Sequence, residues 1–203
     1  MSEKHTQGRA VKERPILFSG AMVRALLAGT KTQTRRAIKA PDSVTAFKHF
    51  DGARWDRMQG AQRGDTIKCP YGYTGDRLWV REAWAKTQPI QLPWPQTMVV
   101  YREGDNRTDY GGPWKPSIHM PRAASRITLE VTGVRVERLQ DISAADALAE
   151  GITLHPDHHG KPRDSLYGPV RTYADLWESI NGPESWAANP WVWVVEFKRV
   201  EAA

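Results

Sequence analysis

Two long stretches of β-type sequence constrain the fold most. In residues 125–139 apolar side chains recur at every second position, Gly133 interrupts the pattern, and the alternation then resumes. This predicts one long bent strand or a hairpin. The run Trp191–Val200 is strongly apolar and predicts a buried strand. The chain must therefore build a sheet around these two segments.

Shorter sequence patterns predict the remaining strands and helices. Strands are predicted at residues 15–18 and 77–84, with an extended segment at residues 32–38. Helices are predicted after three candidate N-caps, Ser19, Ser143 and Thr172, and the first two end at Gly29 and Gly151. The expected fold class is mixed α+β, mainly β: a small, partly closed β-barrel flanked by two to three helices, rather than a parallel α/β sheet.

The predicted domain organisation is a single domain at residues 14–203 behind a disordered lead-in at residues 1–13. The lead-in is polar and has little to bury. Long insertions are expected at about 39–74, 86–124 and 153–170, where Pro, Gly and charged residues dominate. Small strands are expected within the first two, at residues 64–68 and 97–102.

Composition favours a cytoplasmic protein that contacts nucleotides or nucleic acid. The chain has a net charge of +6 and nine tryptophans, although the charge is not concentrated in one run. Cys69 is the only cysteine, which excludes an internal disulfide and a thiolate metal cluster. No apolar run approaches the ~18 residues of a membrane helix, and the N-terminus lacks the apolar core of a secretory signal. The oligomeric state stays undetermined.

The segment Gly-Thr-Lys-Thr-Gln-Thr-Arg-Arg, residues 29–36, carries the main candidate chemistry. Lys31 and Thr34 could form an amine–hydroxyl pair in which a neutral lysine takes the threonine proton. Arg35 and Arg36 would suit an anionic or carbonyl-rich ligand. The alternative is a basic turn after a helix C-terminus, where cations favour the helix dipole.

Several stretches together resemble the ASCH family, which has a PUA-like β-barrel fold. Residues 29–36 are similar to the family's Gly-x-Lys-x-x-(Glu/Thr)-x-Arg motif, and residues 75–80 are similar to its Gly-Asp-x-Leu-x-Val strand. Residues 147–151 resemble the helix that bears a functional glutamate, and residues 193–198 resemble the closing strand. The matching segments follow one another in the same order as in the family, and together they cover about half of the chain. Long forms of this kind are similar to proteins encoded by phages and prophages.

The resemblance implies an enzyme of the 4-acetylcytidine amidohydrolase type, acting on a modified nucleoside or RNA without a cofactor. It carries the catalytic lysine, threonine and glutamate over to Lys31, Thr34 and Glu150, and the motif arginine to Arg36. Other relatives are described as ribonucleases, and the wider barrel class includes binders of RNA and modified bases. An RNA-binding or modified-base-binding module without catalysis, or a ribonuclease, therefore stays open.

Further side chains are expected near the site. Arg81, Glu82 and Trp84 follow the Gly-Asp strand and could line the cleft, and Ser19 could donate to the base or cap a helix. No metal site is predicted. The histidine cluster, residues 155, 158 and 159, lies in a Pro- and Gly-rich loop rather than on rigid elements.

Overall fold

The computed structural model describes residues 9–51, 54–87, 98–104, 113–153 and 168–200. The α-helices there are α1 (Gly20–Leu27), α2 (Ala144–Ala149) and α3 (Pro169–Asn181). The strands are β1 (Glu13–Leu17), β2 (Gln33–Ala37), β3 (Ala46–Asp51), β4 (Arg54–Gln59), β5 (Gln62–Lys68), β6 (Arg77–Arg81), β7 (Trp84–Thr87), β8 (Met98–Tyr101), β9 (Thr128–Arg138) and β10 (Trp191–Val200). The expected fold class, mixed α+β and mainly β, is confirmed. None of the described helices combines the length and apolar character needed to cross a bilayer.

The main sheet has five strands in the order β1-β6-β9-β10-β2. Its centre is the antiparallel pair of β9 and β10, the two segments that the alternation predicted. β9 is one long strand rather than a hairpin, and its register with β10 shifts between Glu196 and Phe197, opposite Gly133. A Cβ at Gly133 would lie 2.5 Å from Glu196 Oε2, so a larger residue where the two strands bend would require the Glu196 side chain to move aside.

The sheet has an apolar core on each face. Trp193, Val195 and Phe197 of β10 pack with α1 and β6, whereas the alternate residues Val192 and Val194 pack with α2 and α3. Burial on both faces explains why this strand reads as a continuous apolar run.

The main sheet is open within the described residues, with β1 and β2 as its edges. A side chain links the two edges: Arg36 of β2 donates from Nη2 to the carbonyl oxygen of Leu17 in β1, at 2.7 Å. The strand pairing thus leaves the expected barrel unclosed, and α1, with Val23 and Leu26 buried, packs into the same core.

The first predicted insertion is a second sheet rather than a loop with one small strand. β3, β4 and β5 form an antiparallel sheet in that order, and Trp55 packs edge-on against Trp193 at a ring distance of 5.0 Å. β3 and β5 are mostly exposed along their length, and the two phenylalanines of β3, Phe47 and Phe50, are three positions apart. Without apolar alternation, the sequence carries no period that would reveal them.

The other insertions are described only in part. β7 and β8 form a two-stranded sheet, which confirms a strand near residues 97–102, but residues 88–97 and 105–112 lie outside the described part. Residues 154–167, with His155, His158 and His159, also lie outside it.

One of the three predicted helix starts differs from the structure. The Thr172 cap prediction is wrong: α3 begins at Pro169, and Thr172 lies inside its first turn. Proline suits the first helical position because its missing N–H would have no partner there. At the N-terminus, residues 1–8 are outside the described part, whereas Arg9 already binds Asp76 and β1 begins at Glu13.

Candidate active site

Lys31 is positioned by the end of α1. Ser19 caps the start of this helix by accepting from the Met22 N–H at 3.5 Å. The helix is followed by Gly29 at φ +75°, and the Lys31 N–H then donates to the Ala25 carbonyl oxygen at 3.2 Å. The chain therefore leaves the helix in a fixed direction, and Lys31 enters an isolated antiparallel bridge with Glu150.

Glu150 is positioned by the end of α2. Ser143 caps this helix as predicted, accepting from the Asp146 N–H at 3.0 Å. Gly151 follows at φ +80°, and a Cβ there would lie 2.8 Å from the Lys31 Cβ and 2.7 Å from the Ala25 Cβ. Glycine therefore permits both the backbone conformation and the close approach of α2 to Lys31.

Lys31 and Glu150 form a buried ion pair although they lie 119 residues apart. Lys31 Nζ is 2.8 Å from Glu150 Oε2 and also donates to the Glu150 carbonyl oxygen at 2.7 Å. Their side chains are 0% and 2% exposed. The second carboxylate oxygen, Oε1, accepts from Arg35 Nη1 at 3.2 Å, so both oxygens of Glu150 face cations.

Burial lowers the pKa of Lys31 below its ordinary value. The Glu150 carboxylate opposes this shift, whereas the positive charges of Arg36 and Arg35 add to it. A lysine in this environment releases its proton more easily than one in water. It can therefore serve as a proton acceptor near neutral pH more readily than an exposed lysine.

An ionic network behind the pair holds Glu150 in place. Arg35 also contacts Glu137 at 2.5 Å and Asp146 at 3.4 Å, and Asp146 accepts in turn from Arg135 at 3.1 Å. These positioning groups were missed at the level of sequence. The sequence indicated these groups only through the spacing of Lys31, Gln33 and Arg35, because alternate residues of a strand point to the same side.

The side chains of Lys31, Gln33 and Arg35 all reach α2 or the residue that ends it. Thr34 and Arg36 belong to the opposite face, where they pair with Val195 and Trp193 of β10. The Thr34 hydroxyl makes no hydrogen bond within the described part of the chain. Thr34 is 1% exposed as a residue, and a hydroxyl with no competing partner at the cleft suits a nucleophile that must meet a substrate.

A cleft is lined by Arg35 from the first set and by Thr34 and Arg36 from the second, whereas Lys31 and Gln33 do not line it. It is lined by Thr34, Arg35, Arg36 and Ala37 of β2, by Met22 and Glu150, and by Tyr173, Leu176, Trp177, Ile180 and Asn181 of α3. Because four consecutive residues of β2 line it, the cleft lies at the free edge of that strand rather than on one face. Its empty space, counted out to the open mouth, is about 400 Å³.

The helix α3 forms the second wall of this cleft. The sequence predicted an amphipathic helix here but assigned it no part in the site. Tyr173 and Trp177 are both buried and pack against each other at a ring distance of 6.3 Å. Burial raises the pKa of Tyr173, and the Glu150 charge adds to this shift. The tyrosine therefore stays protonated and is a hydrogen-bond donor at neutral pH.

The remaining predicted site residues lie elsewhere. Ser19 acts as the helix cap described above. Arg81 stacks on Trp79 at 4.7 Å, Glu82 is held by Arg126 through two hydrogen bonds of 2.9 and 2.8 Å, and Trp84 packs in a separate core cluster with Met120. None of Arg81, Glu82 and Trp84 lines the cleft. Strand alternation and local ion pairing, which the sequence pattern did not resolve, direct them away.

The described residues contain no cluster of three or more His, Cys, Asp and Glu side chains suited to a metal ion. Cys69 is buried, and burial raises its pKa to about 11. A thiol with a raised pKa forms little thiolate and is a poor nucleophile.

Comparison with protein-family models, with curated proteins and with solved structures finds no match to this chain.

Proposed function

We propose that this protein is a member of the ASCH family and a metal-independent amidohydrolase. It removes an acyl group from the exocyclic amine of a modified cytidine, with 4-acetylcytidine as the first substrate to test. The observation that carries the proposal is the buried Lys31–Glu150 pair, at 2.8 Å, beside a cleft that Thr34 and Glu150 line. An amine, a carboxylate and a hydroxyl are the groups that metal-independent acyl transfer requires.

In the proposed reaction the Thr34 oxygen attacks the acyl carbonyl carbon, and its proton passes to the Lys31 amine by way of the Glu150 carboxylate, which lines the cleft and lies 2.8 Å from Lys31 Nζ. The tetrahedral intermediate collapses as the bond to the exocyclic nitrogen breaks, and that nitrogen takes the proton from Lys31. Water then attacks the acyl-threonine ester, which releases the carboxylic acid and restores the hydroxyl. Glu150 orients Lys31 throughout and stabilises its charged form.

Arg36 supplies a donor for the developing oxyanion in this scheme. Its Nη2 donates to the Leu17 carbonyl oxygen at 2.7 Å, which fixes the guanidinium beside the cleft. Its Nε is buried and has no acceptor in the described part of the chain. A fixed donor with no internal partner is suited to charge that appears only in the transition state.

The test follows the ultraviolet spectrum of 4-acetylcytidine during incubation with the purified protein. Turnover is expected in the wild type, with a loss of at least about 100-fold in Lys31→Met and Thr34→Val, the range typical of acid–base groups. Thr32→Val is the matched control, because Thr32 is an exposed residue of the same segment. Activity should survive EDTA. No turnover, or equal loss in the control variant, would reject the mechanism.

A second function, RNA binding without catalysis, is favoured by the surface of the three-stranded sheet. Phe50 is 47% exposed, and the guanidinium groups of Arg54 and Arg63 lie 4.8 and 5.0 Å from its ring centroid. Both arginines also have aspartate partners, Asp51 and Asp56, which offset part of the charge. An exposed aromatic ring among arginines is a stacking surface for unpaired bases.

The binding function would show as RNA affinity that falls steeply with salt and weakens in Phe50→Ala. Salt-sensitive binding without 4-acetylcytidine turnover would favour this second function over the hydrolase. Cleavage of an unmodified RNA would instead indicate a ribonuclease.

A further inference from the structure

Trp177 has a buried polar group that the fold does not satisfy. The residue is 5% exposed and lines the cleft, yet its indole N–H has no acceptor in the described part of the chain. The indole of Trp191 donates to the Val44 carbonyl oxygen at 3.3 Å. The indole of Trp84 also lacks an acceptor in the described residues, but it lies in the separate cluster with Met120 and does not line the cleft. Buried donors are nearly always paired, because leaving one without an acceptor costs free energy.

Other groups at the same cleft also lack partners. The Nε atoms of Arg35 and Arg36 are buried without acceptors in the described residues, and the Thr34 hydroxyl makes no hydrogen bond there. The acidic group of the cleft, Glu150, already faces Lys31 and Arg35. The two Nε atoms and the Thr34 hydroxyl can donate, and they are complementary to a ligand that brings acceptor oxygens. Asn181, whose Nδ2 donates to the Trp177 carbonyl oxygen at 3.0 Å, adds one amide oxygen as an acceptor to the lining.

The free edge of β2 adds a main-chain donor and acceptor. The Ile38 N–H donates to the Trp191 oxygen, and the Phe197 N–H donates to the Thr32 oxygen. In an antiparallel ladder this places the hydrogen-bonded pairs at even-numbered residues of β2, so the N–H and C=O of Arg35 point away from β10. Arg35 lines the cleft, and its outward groups are suited to the edge of a nucleobase.

The rest of the wall is largely apolar. Leu176, Ile180 and Met22 contribute apolar surface to the cleft. The Arg35 charge is balanced by Glu137, Asp146 and Glu150, whereas Arg36 donates to a neutral carbonyl oxygen of Leu17 and makes no ion pair within the described residues. A carbonyl oxygen on a flat, largely apolar ring satisfies the indole donor and buries the apolar surface as well.

We propose that Trp177 is a ligand-binding residue whose indole N–H donates to a carbonyl oxygen of a nucleobase held between α3 and the edge of β2. The identity of that base as an acylated cytosine rests on the function proposed above. The binding role itself depends on the geometry of this cleft. It assigns α3, a helix outside the resemblance, to substrate selection.

The test removes the donor while keeping an aromatic ring at position 177. In Trp177→Phe the KM for 4-acetylcytidine should rise about 10-fold while kcat changes less than about 3-fold, as expected for loss of one buried hydrogen bond. Trp186→Phe is the matched control, because Trp186 also packs against Tyr173 but does not line the cleft. If Trp177→Phe does not fold, β-(3-benzothienyl)alanine at position 177 keeps the shape and lacks only the N–H.

The outcomes separate this inference from the hydrolase proposal. Turnover with an unchanged KM in both position-177 variants overturns the role of Trp177 and leaves the hydrolase standing. If the wild type shows no turnover, calorimetry measures its affinity for 4-acetylcytidine and for cytidine. A nucleoside affinity that falls in Trp177→Phe then supports the binding role of Trp177 without the hydrolase. Absence of nucleoside binding to the wild type overturns the inference, as does binding of inorganic phosphate alone.

Discussion

Removing the Glu150 carboxylate should leave two cations buried, and this gives the sharpest test of the site. In Glu150→Gln the Lys31 ammonium, 0% exposed, loses its only carboxylate contact in the described residues. Breaking a buried ion pair from one side typically costs about 3–5 kcal/mol. Arg35 keeps Glu137 and Asp146, so most of the loss comes from Lys31.

Deprotonation of Lys31 sets an upper limit on that cost. The ordinary pKa of a lysine is 10.5. Removing its proton at pH 7 therefore costs about 5 kcal/mol, at about 1.4 kcal/mol for each pH unit below the pKa. Lys31→Met should cost less, about 2 kcal/mol, because Glu150 retains Arg35 at 3.2 Å. The double variant leaves no unpaired charge, so its loss should fall short of the sum by at least about 1.5 kcal/mol.

Urea unfolding of the wild type, the two single variants and the double variant measures these free energies of unfolding. The control cycle is Lys198→Met with Glu130→Gln, a pair at 3.1 Å whose side chains are 63% and 35% exposed. Exposed pairs contribute less than about 1 kcal/mol, so this cycle should show a coupling below about 0.5 kcal/mol. A Lys31–Glu150 coupling no larger than the control would refute the reasoning from burial.

Three further predictions concern Lys31, Asp76 and Gly151. Because burial lowers the pKa of Lys31, the unfolded chain binds more protons between that lowered value and 10.5. The stability of the wild type relative to Lys31→Met should therefore rise as the pH increases from that lowered pKa toward 10.5, and a flat difference would contradict the shift. Burial opposes ionisation of Asp76, but hydrogen bonds from the Lys12 N–H and Arg9 outweigh it and lower the pKa from 3.8 to about 2. Asp76→Asn should cost about 2 kcal/mol at neutral pH and remove the loss of stability that the wild type shows between pH 4 and pH 2. Gly151→Ala should lower both thermal stability and turnover more than Gly29→Ala. Both residues have positive φ, +80° and +75°, but a Cβ meets other atoms within 4 Å only at Gly151. Equal effects in the two variants would show that contact with Lys31 is unimportant.

Local elements were predictable where one physical signal dominates. The alternation before and after Gly133 gave β9, and the continuous apolar run gave β10. Ser143 and Gly151 bounded α2 because a hydroxyl can cap and a glycine can adopt positive φ. The sheet of β3–β5 was missed because β3 and β5 are mostly exposed and their residues do not alternate between apolar and polar.

The candidate site was predictable only in part. Lys31, Thr34 and Glu150 were expected from the family resemblance, and the structure brings Lys31 and Glu150 into contact. Arg81, Glu82 and Trp84 were expected beside them, but each packs elsewhere. Proximity along a strand does not place side chains in one cleft, because alternate residues face opposite sides.

The sequence by itself determined the strands, the helix ends and the residue types of the candidate chemistry, since these depend on neighbours a few positions apart. Only the tertiary structure decided that Glu150 lies between Lys31 and Arg35, and that Trp177 forms part of the cleft wall. Those contacts join segments more than 100 residues apart. They form because burial on the second face of the sheet brings α2 and α3 onto β10 beside the free edge of β2.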